Sequence, residues 1–460
     1  MENKIKISPV DKWVINPFGA FVSNSIMGGV VLLICAVIAI GFANSPLSEW
    51  FLGLWEHKIG IGLNNKLFLN YSIQHWINDG VIAIFFFVLG LELKREILGG
   101  QLTGLRNAML PIVVGLGGML FPALLFLLFN GGTETSHGWG IPMATDIAFA
   151  LGVLYLLGDR IPPSVKIFLT AFAIIDDLGA IMVIALFYTS EISFIWLGVG
   201  VFFLLVLMLA NKAGVRNTLF YGIIGIGIVW LAFLLSGVHA TIAAVLVAFT
   251  IPADAKVDEK LFLFKAKKYA TKFNDTDVTD TPILTDEQLH ILKEMKTITK
   301  HAMTPLQRLE HDMHPIVSFV VMPLFALANA GVVLNMNLGE LFSTNIFTGV
   351  VVGLILGKFI GIFGLTYVLV KLKVFKLPRA MNFKHLFGVS IISGIGFTMS
   401  IFITSLAYTN EAFITQAKIG IFVASIIAGT VGYIYLSRLT PPAKPKKMEN
   451  APMIETLEND

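Results

Sequence analysis

Charge and cysteine are both scarce in this sequence. Only 14% of its 460 residues are charged, the formal net charge at pH 7 is +3, and Cys35 is its one cysteine. A single cysteine excludes an intramolecular disulfide framework and a metal site built from cysteines. The net charge says little in itself, and no nucleic-acid partner is expected. The positions of the few charges along the chain are therefore more informative than their number.

Apolar residues are abundant instead. They make up 56% of the chain, the mean hydropathy is +0.79, and they fall in blocks too long for a soluble core. Twelve of these blocks approach the ~20 residues that cross ~30 Å of hydrocarbon as a helix. The first block is not followed by a convincing small-residue cleavage site, so we interpret it as a retained span. The sequence predicts an all-α, polytopic membrane protein of about twelve transmembrane helices.

The basic residues predict the orientation of these spans. With the N-terminus inside, 29 of the 33 Lys and Arg residues fall on the inner side. Only Lys58, Lys66 and Lys418 fall outside, and Lys358 lies within a span. Because positive charge collects on the cytoplasmic side, both termini are predicted to be cytoplasmic.

The segments outside the spans have separate interpretations. The predicted organisation is a cytoplasmic segment (1–22), spans one to eight (23–252), a cytoplasmic insertion (253–312), spans nine to twelve (313–438) and a cytoplasmic tail (439–460). Alternating apolar residues at 57–72 indicate an extracytoplasmic β-hairpin, with an ordinary loop as the alternative. The insertion is rich in Lys, Asp and Thr, so a solvated, mobile linker with some helix near 285–300 is the favoured interpretation.

Four charged residues are predicted to lie at one depth in the bilayer. Asp176 and Asp177 are about 11 residues, or roughly 17 Å, from either end of span five. Asp146 and Lys358 occupy similar places in spans four and ten. A carboxylate at this depth costs roughly 2.5 to 3.5 kcal/mol, and an unpaired buried charge costs several. Lys358 is therefore expected to pair with one of the aspartates; a purely stabilising polar network is the alternative to a functional site.

Two of the spans contain helix-breaking sequence. Span four has GIPMATD at 140–146, and span eleven has SGIGFT at 393–398, with Gly394 and Gly396. Interrupted helices at membrane depth are tolerated where the freed backbone groups line a cavity or are buried in protein. Half-helix ends carry roughly half a charge of either sign, which Asp146 and Lys358 could compensate. Spans three to five and ten to twelve start on opposite sides, as inverted repeats do.

These residues carry a resemblance to a known family. The sequences ATDIAFALG (144–152), IIDDLGA (174–180), LGK (356–358) and GIGFTMS (394–400) together resemble the NhaA-type bacterial Na⁺/H⁺ antiporters. Further matches are GLELKRE (90–96), SGVHAT (236–241), LEH (309–311) and HP (314–315). The match extends from the first span to the last, and four motifs in register are highly specific.

The resemblance implies exchange of cytoplasmic Na⁺ or Li⁺ for external H⁺ by alternating access, with more than one proton per ion and with regulation by pH. It implies a multi-pass protein of the bacterial inner membrane that serves sodium and pH homeostasis. Asp176 and Asp177 would bind the transported ion and the protons, while Thr145, Asp146, Lys358, Gly394 and Gly396 would support the broken helices, with Lys358 paired to Asp176. The hairpin would form a homodimer contact. No cofactor and no enzymatic activity are implied.

The chemistry of the residues agrees with this exchange. Burial favours the neutral form of a carboxylic acid, whereas Na⁺ prefers oxygen ligands and needs the ionised form. A proton and a cation therefore compete for one site. Asp176 and Asp177 point about 100° apart on a helix, so they need not have the same task. Asp177 is the better candidate for ion contact, and Asp176 for the pair with Lys358.

A second constellation is predicted at the cytoplasmic surface. His titrates near pH 6.5, so His and Glu on one face could set the pH at which the transporter opens. Ordinary juxtamembrane charge with long, snorkelling side chains is the alternative. The candidates for pH response at this surface are Glu92, Lys94, Arg95, Glu96, Glu310, His311 and His314. His239, at the outer start of span eight, is a weaker candidate, for which a satisfied packing group is the favoured interpretation.

Two other functions use intramembrane carboxylates. An aspartyl protease could use Asp146 and Asp176, but it would leave Asp177 and Lys358 without a role, and its usual Gly-any-Gly-Asp signature is missing because Phe397 follows Gly396. A sodium-coupled solute symporter would need a larger polar cavity. Ion flux without an organic solute distinguishes the three functions.

Overall fold

The computed structural model describes residues 25–63, 66–100, 102–189, 192–276, 283–334, 344–378 and 380–439. The predicted N-terminal segment 1–22 and residues 440–460 of the predicted tail lie outside this description. Within it the protein is an all-α, multi-pass membrane protein with one small β-hairpin.

The helices follow the apolar blocks of the sequence. In chain order they are α1 (Ser25–Ala43), α2 (Ser48–Glu56), α3 (Ile82–Gly99), α4 (Leu105–Asn130), α5 (Ile147–Leu156), α6 (Pro163–Phe187), α7 (Phe194–Lys212), α8 (Thr218–Ser236), α9 (Ala240–Thr250), α10 (Glu259–Asn274), α11 (Asp286–Ala302), α12 (Pro305–Asn329), α13 (Asn345–Lys371), α14 (Phe383–Ile392), α15 (Phe397–Ala407) and α16 (Glu411–Leu439). A short helix, Ile73–His75, and a π-helical segment, Trp76–Val81, lead into α3.

Among the described residues, seven helices are long and apolar enough to cross a membrane, and three bent pairs raise the number to ten. The seven are α4, α6, α7, α8, α12, α13 and α16. The remaining two of the twelve predicted spans correspond to α3, which carries four charged residues near its end, and to α9, which has only 11 residues.

Two of the bent pairs are the interrupted spans of the sequence analysis. The 3₁₀ segment Glu134–Met143 and α5 meet at an angle of 41°, and α14 and α15 meet at 44°. Pro142 cannot continue an α-helix because it lacks the backbone N–H, and the second break falls at Gly394 and Gly396. The third pair, α1 and α2, turns by 114° at residues 44–47.

Residues 58–63 and 66–72 form the two strands of an antiparallel hairpin. Strand β1 (Lys58–Leu63) pairs with strand β2 (Lys66–Ser72), with Lys58 opposite Ser72. The hairpin is attached to the helices because the indole Nε1 of Trp76 donates to the carbonyl of Ile59 at 3.0 Å.

The predicted insertion is more ordered than a solvated linker. Its described part contains α10 and α11, and Tyr269 Oη on α10 donates to Glu294 Oε2 on α11 at 3.2 Å. Thr285 and Gln288 form a reciprocal capping box at the start of α11. Ile291 and Ile298 are buried. The predicted helix near 285–300 is confirmed by α11, whereas α10 was not predicted.

The boundary between the insertion and span nine also differs from the prediction. Helix α12 begins at Pro305, with Thr304 as its N-cap, so Glu310, His311 and His314 lie within this helix rather than before it. Pro at the first helical position and Thr as the cap are the expected start signals.

The interior has two packing regions. Helix α4 packs against α6, α13 and the segment Glu134–Met143, and this group includes Asp176 on α6 and Lys358 on α13. Helices α7, α8 and α9 form a separate buried cluster with Leu91 of α3. The candidate site lies in the first region.

Candidate functional site

The two broken helices contact each other at their breaks. The backbone N–H of Asp146 donates to the carbonyl of Ile395 at 2.7 Å. The hydroxyl of Ser400 on α15 donates to the carbonyl of Ile141 at 2.8 Å. Backbone groups that the interruptions leave without intrahelical partners are thus satisfied across the crossing, as low-dielectric surroundings require.

The carboxylate of Asp146 caps two helices at once. Its Oδ1 accepts the backbone N–H of Phe149 at 2.9 Å, which makes it the N-cap of α5. Its Oδ2 accepts the backbone N–H of Thr398 at 3.0 Å and the Thr398 hydroxyl at 2.5 Å, near the start of α15. Each helix N-terminus carries roughly half a positive charge, so one carboxylate balances both.

Lys358 and Asp176 form a buried ion pair. Lys358 Nζ lies 2.5 Å from Asp176 Oδ2, and both side chains are fully buried. The hydroxyl of Thr145 lies 3.0 Å from the same carboxylate oxygen and 3.1 Å from the carbonyl of Ser393, at the end of α14. A hydroxyl has one proton to donate, so Thr145 can stabilise either group. It thereby connects the ion pair to the helix crossing.

Glycines allow Lys358 to reach Asp176. The face of α13 toward α4 and Glu134–Met143 carries a glycine at every fourth position: Gly349, Gly353, Gly357 and Gly361. A Cβ atom at Gly357 would lie 2.5 Å from the Cα of Pro122. Small residues at this spacing let membrane helices approach closely. The sequence analysis missed this stripe, although its spacing of four is visible in the chain.

Gly394 and Gly396 have a related role. A Cβ atom at Gly394 would lie 2.7 Å from the carbonyl oxygen of Leu354 on α13, and one at Gly396 would lie 2.8 Å from the Leu354 side chain. These glycines hold the break of span eleven against the helix that carries Lys358. Thr398 was part of a motif but was not among the predicted site residues; its helix-start position next to an aspartate was the available signal.

Asp177 differs from its neighbour. It is 1% exposed, and neither of its carboxylate oxygens has a hydrogen-bond partner among the described residues. Asp176 Oδ1 likewise has none. Buried polar atoms are nearly always hydrogen-bonded, so three such oxygens on adjacent residues form an unusual group. Carboxylate oxygens can accept either a proton or a hard cation.

Several of the predicted pH-response residues form a cluster. Arg95 lies 3.0 Å from Glu96 and also forms an ion pair with Glu310. Arg95, Glu310, His311 and His314 line an open cavity of about 450 Å³. A second cavity, of about 180 Å³, is lined by Glu92, Arg95 and His314 and extends to Ile147, which follows Asp146. The cluster and the helix crossing therefore border a common space.

Two other predicted pH-response residues lie elsewhere. Lys94 Nζ donates to the carbonyls of Phe249 at 2.7 Å and Ile251 at 2.5 Å, so its charge caps the C-terminal end of α9. His239 Nε2 lies 3.1 Å from the carbonyl of Tyr188. His239 precedes α9, so it lies at the end of this helix opposite the one that Lys94 caps. Tyr188 follows α6, at the end of that helix opposite Lys166. Neither residue belongs to the Arg95 cluster.

The chain is similar to known proteins over nearly its whole length. Residues 19–436 match the family described as Na⁺/H⁺ antiporter 1. The chain is 44% identical over 440 residues to the Na⁺/H⁺ antiporter NhaA of Oleidesulfovibrio alaskensis, which covers 95% of this chain and 97% of that protein. It is 46% identical over 423 residues to Na⁺/H⁺ antiporter NhaA 2 of Syntrophotalea carbinolica, covering 92% and 96%. Identity to the Helicobacter pylori NhaA is 41% over 431 residues, covering 93% and 96%.

Proposed function

The chain belongs to the Na⁺/H⁺ antiporter 1 family of transporters, and on this premise we propose that it exchanges cytoplasmic Na⁺ or Li⁺ for external protons at Asp176 and Asp177. The relatives' printed names supply the ions Na⁺ and H⁺. One observation carries the choice of site: Asp177 is buried without a hydrogen-bond partner among the described residues, beside an Asp176 that is paired. The chain is a transporter rather than an enzyme, which removes the protease alternative.

The proposed mechanism is competition for one carboxylate. A cation binds the ionised form of Asp177, and a proton replaces it when the site faces the other side of the membrane. Asp176 and Lys358 form a second titratable unit beside it, which provides for more than one proton per cation and hence for electrogenic exchange. No cofactor takes part. The cation needs further oxygen ligands, and Thr145, backbone carbonyls at the crossing or water are proposed to supply them.

Alternating access is proposed to occur at the helix crossing. The two breaks contact each other through hydrogen bonds among a few groups. A small rearrangement there would change which side of the membrane reaches Asp177 while the capping carboxylate of Asp146 keeps both half-helices together.

The central experiment is Asp177→Asn, assayed as Na⁺-dependent collapse of an imposed pH gradient in everted membrane vesicles. We expect exchange to be abolished, because the amide can neither release a proton nor supply a charged ligand. Asp275→Asn, an exposed carboxylate in the insertion, is the matched control and should retain full exchange. Undiminished exchange by Asp177→Asn would contradict the assignment of the site.

Regulation by pH is proposed to act through the Arg95 cluster. Support comes from the ion pair between Arg95 and Glu310 and from the cavity that these residues share with His311 and His314. Glu310→Gln removes the ion pair and should move the pH of half-maximal exchange, whereas the exposed Glu287→Gln should not. Superimposable pH profiles for the two variants would favour ordinary surface charge.

The proposed setting is the bacterial inner membrane, with both termini cytoplasmic, where the exchange serves sodium and pH homeostasis. The distribution of Lys and Arg supports this orientation, and reporter fusions at the C-terminus would test it. The hairpin of β1 and β2 is proposed as a homodimer contact. Removing residues 58–72 should then yield monomers in cross-linking experiments, and a persisting dimer would contradict this role.

A further inference from the structure

A positively charged pocket lies where the insertion joins the membrane helices. Its volume is about 310 Å³, and it is bordered by the start of α8, the start of α12 and both ends of the insertion. Five of its lining side chains are basic: Arg216, Lys256, Lys300, His301 and Arg308. None of the described residues that line it is acidic.

Backbone hydrogen bonds hold the two ends of the insertion at this pocket. The N–H groups of Lys256 and Val257 donate to the carbonyl of His301 at 3.0 and 3.2 Å. The N–H of Leu306 donates to the carbonyl of Pro252 at 3.1 Å. These bonds therefore hold Lys256 and Lys300 together at the opening of the pocket, although 44 positions separate them in the sequence.

Opposite charge around the pocket is limited. Asp254 is 80% exposed and lies 3.3 Å from Arg216. It therefore offsets the charge of Arg216, although it does not itself line the pocket. The pocket also receives the N-terminal ends of α8 and α12, through Asn217, Thr218 and Pro305. Helix N-termini add partial positive charge. Arg308 forms only a long hydrogen bond, 3.5 Å, to the hydroxyl of Thr218, and its guanidinium has further donors to offer.

We propose that this pocket binds a phosphate-bearing anion. Two guanidinium groups and two ammonium groups around a space of this size match the several oxygens of a phosphate group, which arginine binds in a bidentate manner. The two helix N-termini add only the partial positive charge of their dipoles, because their first N–H groups are already hydrogen-bonded. The bound anion connects α8, α12 and the insertion, and α12 also carries Glu310.

The phosphate can belong to a soluble compound or to a lipid headgroup. Thr218 also borders an apolar crevice of about 420 Å³ between the π-helical segment Trp76–Val81, α8 and α9. That crevice would accommodate an acyl chain below a headgroup in the basic pocket, because basic pockets on the cytoplasmic side of membrane helices attract anionic lipids.

The test measures binding to the full-length protein purified in a neutral detergent. Inorganic phosphate is titrated against chloride at equal ionic strength, and phosphatidylglycerol against phosphatidylcholine, with thermal unfolding and direct binding as readouts. The variant Lys256→Glu/Lys300→Glu changes two exposed side chains, and Arg308→Gln is a second, independent variant. The control Lys267→Glu/Lys296→Glu makes the same charge change on exposed positions of the insertion outside the pocket.

We expect the dissociation constant to rise by more than about tenfold in both pocket variants, and to stay within about twofold in the control. Stabilisation by inorganic phosphate that the pocket variants lose identifies a soluble ligand. Stabilisation by phosphatidylglycerol alone, lost in the same variants, identifies a lipid headgroup. The proposal is overturned if neither anion binds, or if the pocket variants and the control bind them equally.

Discussion

Asp146 and Asp177 make an instructive comparison between the helix crossing and the neighbouring site on α6. Both carboxylates are 1% exposed. Asp146 accepts three hydrogen bonds and joins two half-helices, whereas Asp177 accepts none from the described residues. Equal burial therefore does not imply an equal role. A fully satisfied carboxylate holds the structure, and an unsatisfied one remains available for a proton or a cation.

The largest expected difference between Asp146 and Asp177 is in the stability that the protein loses when each residue is replaced. Asp146→Ala removes the acceptor of two N–H groups and one hydroxyl, each of which costs about 1 to 3 kcal/mol when left buried and unpaired. We expect the free energy of unfolding to fall by about 3 to 6 kcal/mol. Asp177→Asn should lose less than about 1 kcal/mol, because no hydrogen bond is broken. Thermal and denaturant unfolding in detergent measures both, and equal losses would remove the distinction.

The next effect concerns the ion pair between Asp176 on α6 and Lys358 on α13. Lys358→Ala leaves Asp176 buried without its counter-ion, so the protein should be destabilised by about 3 kcal/mol. The ionised form of Asp176 loses its stabilising charge, so exchange should require a more alkaline pH.

The double variant Asp176→Asn/Lys358→Met provides the control for this prediction, because it contains no unpaired charge. It should recover most of the lost stability without recovering exchange. Stability that falls further in the double variant, or a pH profile of Lys358→Ala that matches the unmodified protein, would contradict the ion-pair argument.

The smallest effect concerns Thr145, which contacts both regions. Thr145→Ala removes one of two contacts to Asp176 Oδ2 and one to the carbonyl of Ser393, so we expect a loss of about 1 kcal/mol and a modest reduction in exchange. Thr145→Ser keeps the hydroxyl and should behave like the unmodified protein. A large loss in the serine variant would show that the methyl group, not the hydroxyl, matters.

Some features followed from local sequence and others did not. The order of the spans and their interruptions could be predicted, because hydropathy and helix-breaking residues are properties of consecutive residues. The helical content of the insertion was underestimated, because composition alone does not reveal that Ile291 and Ile298 lie on one buried face of a helix. His239 was predicted at the outer start of span eight, away from Arg95, and its contact with the carbonyl of Tyr188 lies apart from the Arg95 cluster.

The sequence by itself determined that this is a polytopic membrane protein with three carboxylates and one amine inside its apolar blocks, because a charge within such a block is expensive wherever the helices pack. Only the tertiary structure decided how those groups differ. Lys358 reaches Asp176 across 182 positions because glycines bring α13 close to α4, and Asp146 caps a helix that begins some 250 residues later. Hydrogen-bond satisfaction depends on contacts between distant segments, which a pattern of neighbouring residues does not encode.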